Sequence, residues 1–184
     1  MALARPITIL LAALAVACSA APVRAQTSLE TEVKATFLYK FAPFVEWPAS
    51  AFEGPTSPLW ICIFGPDPFG PVLDRAVAGQ TAGGRPIQLR RSGSGDKVGS
   101  CQILYASGSP AAVSKVLKAA HGQPVLTVTD GGQPAGIIDF ILNQGRVRFR
   151  IDDAEAAQSN LAISSKLLSL ALGVKPRKPP GGAP

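Results

Sequence analysis

The sequence predicts an α/β fold: a single-domain sandwich in which a central mixed β-sheet is flanked by helices, with long N-terminal and C-terminal helices. Three observations predict it. The chain has 184 residues, 47% hydrophobic and 16% charged, the balance of one ordinary globular domain with a sizeable core. Short apolar runs bounded by Gly, Pro and Asp alternate with stretches of helical periodicity, the pattern of strands covered by helices. The last two runs flank Asn143-Gln144-Gly145, a hairpin signal, and a hairpin is antiparallel, which makes the sheet mixed.

Residues 1–25 contain no acid, place Arg5 ahead of an apolar run over 7–16, and end in Val23-Arg24-Ala25, a small-x-small pattern before Gln26. They read as a cleaved secretory signal peptide, because the run is about half the length needed to span a bilayer. Leu14-Ala15-Val16-Ala17-Cys18 imperfectly resembles a lipoprotein cleavage box, and lipidation at Cys18 is the less favoured alternative. The domain is expected over 26–172. Thr27 and Ser28 are candidate caps of a long amphipathic helix carrying Val33, Phe37, Leu38, Phe41, Phe44 and Val45. Pro43 should kink it or end it in favour of a separate final turn, and Trp47-Pro48 closes the segment. Residues 49–58 read as loop.

Strands follow at 59–64, 85–91, 101–106 and 125–129, with a helix at 71–77 and another at 110–120 opened by Ser109-Pro110. Residues 93–99 are a Gly/Ser loop. The hairpin pairs 137–142 with 146–151, and in its second strand Arg146, Arg148 and Arg150 alternate with Val147, Phe149 and Ile151, giving one basic and one apolar face. Asp152 is expected to cap a last helix over about 154–172, carrying Leu161, Ile163, Leu167, Leu168 and Leu170. Residues 173–184 read as a basic Pro/Gly-rich disordered tail.

The net charge of +6 falls to +4 without Arg5 and Arg24, and to +1 over 26–172 once Lys175, Arg177 and Lys178 are set aside. A nucleic-acid binder keeps its basic stripe on the folded part, so that class is excluded. Catalytic material is scarce. His121, the one histidine, falls at a helix end, no Gly-x-Ser-x-Gly elbow occurs, and no glycine-rich phosphate loop follows a strand. The expectation is a non-enzyme with no cofactor and no metal. Asp67, Asp130 and Asp152 each follow a strand and could together hold Mg²⁺ in a hydrolase, yet each stands where Asp is favoured as a turn or cap residue. The strand ends around Asp67, Arg85 and Asp130 form the expected pocket of a small-ligand binding module, the alternative function.

Export leaves Cys62 and Cys101 in an oxidising compartment, where a disulfide is favoured over two buried free thiols. Closing that 39-residue loop would stabilise by about 4 kcal/mol in the chain-entropy model. Two cysteines and one histidine do not make a zinc pattern. The arginine face suits either an acidic partner or a solvated edge that resists aggregation. Glu46-Trp47 is either an exposed anchor for a partner or the closure of the core.

Six segments in order, KATFLYKFAPFVEWP (34–48), ICIFGPDPFG (61–70), GRPI (84–87), CQILY (101–105), PVLTVTD (124–130) and ISSKLL (163–168), resemble the YfiR family of small exported bacterial proteins, with similar spacing over 32–172. The resemblance implies a non-enzymatic periplasmic regulator that binds the periplasmic sensor region of an inner-membrane diguanylate cyclase and represses it. Cyclic-di-GMP and biofilm formation would fall. An OmpA-like peptidoglycan-binding outer-membrane lipoprotein is the implied antagonist, a homodimer the implied state, and Cys62 and Cys101 occupy positions where the family carries a cysteine pair. Residues 133–172 lack the second pair that some members carry. Another membrane sensor, such as a histidine kinase, is an alternative partner. Partner or dimer contacts are expected at Glu46, Trp47, Arg146, Arg148 and Arg150.

Overall fold

The computed structural model describes residues 22–92 and 98–177. The expected signal sequence up to residue 21, including Cys18, most of the Gly/Ser loop and residues 178–184 of the tail lie outside them. Helix α1 (Pro22–Lys40) begins ahead of the expected cleavage point and is followed by a 3-10 turn, Ala42–Phe44, where Pro43 removes the donor that an α-helix needs. The expected helical character of Val45 is corrected: Val45–Glu46 is a short strand, β1, paired antiparallel with β9 (Ala162–Ile163).

The remaining strands form one eight-stranded sheet. In chain order they are β2 (Leu59–Phe64), β3 (Thr81–Ala82), β4 (Arg85–Ser92), β5 (Ile103–Ala106), β6 (Leu126–Asp130), β7 (Ile138–Asn143), β8 (Arg146–Asp152) and β10 (Gly173–Lys175). Their spatial order is β10-β8-β7-β6-β5-β2-β4-β3. The run β4-β2-β5-β6-β7 is parallel, and β8 turns back antiparallel on β7. The turn between them uses Gln144 and Gly145, both at positive φ, the geometry of a two-residue type I′ hairpin.

Alternation along the strands divides the interior. Leu59, Ile61 and Ile63 of β2 join Ile103, Tyr105, Val128, Phe140 and Phe149 beneath α1 and α2 (Pro71–Val77). Cys62, Leu104 and Ala106 point the other way, against Val113, Val116 and Ala120 of α3 (Pro110–Ala120). A period of two thus gives the sheet a helix layer on each side. Ser109 caps α3 by accepting from the Ala112 N–H.

The long C-terminal helix is not formed. It is divided into α4 (Asp153–Gln158), β9 and α5 (Ser165–Leu170). Asn160 adopts φ +55°, and the Leu161 N–H returns to the Ala156 carbonyl, closing α4. Leu161 and Ile163 are both buried while Ala162 is exposed, a period of two that one helix face could not satisfy. Ser164 then caps α5 at the Leu167 N–H. The tail is likewise corrected in its first residues. Gly173–Lys175 pairs parallel with β8, Lys175 Nζ lies 2.8 Å from Asp152, and Arg177 holds Asp153 at 2.6 Å.

Candidate functional site

Because β2, β5 and β6 run parallel, the residues that follow them gather at one end of the sheet. Asp67 and Asp130 line a cavity of about 370 Å³ there with Pro66, Pro68, Tyr105 and Ser107. Asp67 accepts from the Phe69 N–H at 2.7 Å and from Arg91 Nε at 2.8 Å, and Arg91 also grips Asp74. Burial pushes the Asp67 carboxyl up, but the bonds from Arg91 and the loop N–H groups outweigh it and hold it below the ordinary carboxylate value. Asp130 accepts at both oxygens from Lys34 Nζ, at 2.8 and 2.6 Å, and Lys34 also meets Glu30 one helical turn earlier.

Lys34 is nearly buried, which lowers its pKa, yet its bonds to Asp130 and Glu30 leave it raised overall. Sequence reasoning missed this residue. Its signal was a lysine four residues after Glu30, on the helix face that carries Leu38. Tyr105 completes the floor, its hydroxyl 3.5 Å from Asp130 Oδ2 and its pKa raised, first by burial and then by the Asp130 charge.

Arg85 does not join this pocket. It opens β4 rather than closing it, so it lies at the other end of the sheet, donating to the Gly54 and Ser57 carbonyls and stacking on Phe52. The expected grouping of three aspartates fails for the same reason. Asp152 ends a strand of opposite direction, caps α4 at the Glu155 N–H and meets Lys175. Among the described residues no group of three or more His, Cys, Asp or Glu side chains is placed to hold a metal ion. His121 ends α3 with Nδ1 2.7 Å from Glu155.

Cys62 of β2 and Cys101, two residues ahead of the neighbouring β5, form a disulfide with Cα atoms 5.9 Å apart, both residues buried beneath α3. Trp47 donates its indole N–H to the Gln102 carbonyl at 3.2 Å and packs at the margin of the main core. Glu46 beside it is exposed.

Arg146, Arg148 and Arg150 are exposed on one face of β8, and among the described residues none of them is held in an ion pair. Beside Arg146 lies an apolar notch of about 260 Å³ formed by Leu29, Val33 and Phe37 of α1 and by Leu142 and Val147 of the hairpin. Leu29 and Leu142 are 62% and 53% exposed, unusual for large apolar side chains next to one another.

A family model described as YfiR/HmsC-like matches residues 31–172, most of the chain. The chain belongs to the YfiR/HmsC-like family. No curated protein shows a significant match to it. YfiR/HmsC-like proteins are non-catalytic periplasmic regulators. The matched span opens in α1 and ends just before β10, so it takes in Lys34, the strand-end cavity, the disulfide and the whole hairpin. Leu29 and Glu30 precede it.

Proposed function

We propose that this YfiR/HmsC-like protein is exported to the periplasm, where it binds the sensor region of an inner-membrane signalling protein, a diguanylate cyclase, and holds it inactive. Cyclic-di-GMP and biofilm formation fall as a result. Repression requires only that the regulator bind the inactive sensor conformation more tightly than the active one. An OmpA-like outer-membrane lipoprotein that competes for the regulator would relieve it by mass action. The regulator acts as a homodimer.

The observation that carries this reading beyond the family is the hairpin itself, which presents three arginines, free of ion pairs among the described residues, on one face and, at Arg146, borders an apolar notch that opens on the other. Protein-binding surfaces combine apolar anchors with charge, and a segment that passes around the hairpin from the notch to the arginine face would be amphipathic where it meets the notch and acidic where it meets the arginines. Glu46 and the half-buried Trp47 make a second contact, to the partner or to the other protomer.

Deleting the gene and restoring it on a plasmid tests the proposal. Cellular cyclic-di-GMP is expected to rise several-fold in the deletion strain and to return with the wild-type copy. A copy carrying Arg146→Glu and Arg148→Glu should accumulate normally and fail to restore it. An unchanged cyclic-di-GMP level in the deletion strain would overturn the cyclase as target and move the reading to a histidine kinase or other sensor.

A further inference from the structure

We propose that the cleft at the carboxyl ends of β2, β5 and β6 binds a small organic cation, an ammonium carried on a compact apolar body. From β2 the chain passes outward through α2 to β4, then returns across β2 to β5 and leaves through α3 on the opposite face. The loops after β2 and β5 therefore diverge, and in open α/β sheets the crevice at such a reversal is where ligands collect. The base of the crevice is pinned. Gly65, at φ +85°, lies so close to Ser107 that a Cβ would stand 2.1 Å from its carbonyl oxygen, and Ser107 Oγ donates to the Phe64 and Pro66 carbonyls. The two loops are thus held in register with no side chain between them.

The lining selects the ligand class. At about 370 Å³ the cavity falls within the size range of small-molecule sites, and Pro66, Pro68, Val113 and Pro134 give it apolar walls. Its two carboxylates belong to clusters with one cation for two acids. Asp130 and Glu30 share Lys34, and Asp67 and Asp74 share Arg91. Each cluster is left one negative charge in excess on either side of the cavity. The Asp130 carboxylate remains one-third exposed at 33%, so an ammonium can still reach it and form a charge-assisted hydrogen bond. A carboxylate or phosphate ligand would meet repulsion from both sides.

Phenethylamine and phenylacetate share a ring and differ in the sign of the terminal charge, which makes them the probes. Calorimetric titration of the purified protein is expected to show saturable binding of phenethylamine and none of phenylacetate. Asp130→Asn should weaken the amine at least about tenfold, the loss of one charge-assisted contact. Asp130→Asn also deprives Lys34 of a partner, so a second variant separates site from fold. Gly132 lines the cavity at ordinary φ with open space where its Cβ would go, and Gly132→Trp should fill the site and abolish binding while leaving the melting temperature of the free protein unchanged. Absence of saturable binding by phenethylamine, equal binding of phenylacetate, or unchanged binding in Gly132→Trp would each overturn the proposal. None of these outcomes bears on repression of a membrane sensor.

Discussion

Lys34 spends a nearly buried ammonium on joining α1 to the end of β6, and Arg91 makes the more exposed counterpart between β4 and α2. Removing the cation from a largely buried pair strands its carboxylates, so Lys34→Met should cost about 1–3 kcal/mol in urea unfolding at neutral pH. Lys34 has a folded pKa above its unfolded value. Its contribution is therefore full below about pH 10.5 and lost as the pH rises through the higher folded value. The wild-type and Lys34→Met stabilities should converge on alkaline titration above that point. Arg91→Met should show the opposite window. Asp67 and Asp74 have lowered pKa values, Asp74 mainly through its bond from Arg91, so their contribution is present above about pH 4 and lost as the pH falls through the folded values. The difference between wild type and Arg91→Met should therefore vanish in acid, and it should be small even at neutrality because Arg91 is 43% exposed.

Between elements, the disulfide ties β2 to the entry of β5 beneath α3, closing a 39-residue loop. Replacing Cys62 and Cys101 together by alanine should lower stability by about 2–4 kcal/mol, read as a lower urea midpoint with a steeper slope, because the unfolded chain without the cross-link exposes more surface. The break between α4 and β9 gives a second test. Asn160 tolerates its left-handed conformation, so Asn160→Gly should be nearly neutral and Asn160→Val should cost about 1 kcal/mol or more. These two features also mark what was legible in the sequence. Strands such as Leu59–Phe64 and the β7-β8 hairpin announce themselves through apolar runs and turn residues of their own. Strands of two or three residues, β1, β9 and β10, carry too little pattern, because each exists only through a partner distant in sequence. The site was legible to the same degree. Asp67 and Asp130 were found because each follows its strand, whereas Arg85 was misplaced because it precedes one, and Arg91, at the other end of β4, is the arginine that reaches Asp67.

Across the whole molecule, charge is distributed unevenly in a way the sequence total hides. Acids outnumber bases around the strand-end cavity, Lys175 and Arg177 are paired with Asp152 and Asp153, and the arginines of β8 stand unpaired on the hairpin. Unpaired surface charge contributes little to folding, so exchanging Arg146 and Arg148 for glutamate should leave the melting temperature within about 2 °C of wild type. The same exchange reverses the sign of the field that an acidic partner meets on approach. Association with the soluble periplasmic region of the membrane partner should therefore slow strongly in the double variant. For the wild type the association rate should fall as salt is raised from low to physiological concentration, while dissociation changes little. Leu142→Ser, in the apolar notch beside Arg146, should act on the other rate: it leaves the field intact, removes an apolar anchor, and is expected to accelerate dissociation. Surface plasmon resonance of these variants across a salt series separates steering from anchoring. Equal rates for wild type and all variants would place the docking surface elsewhere on the molecule.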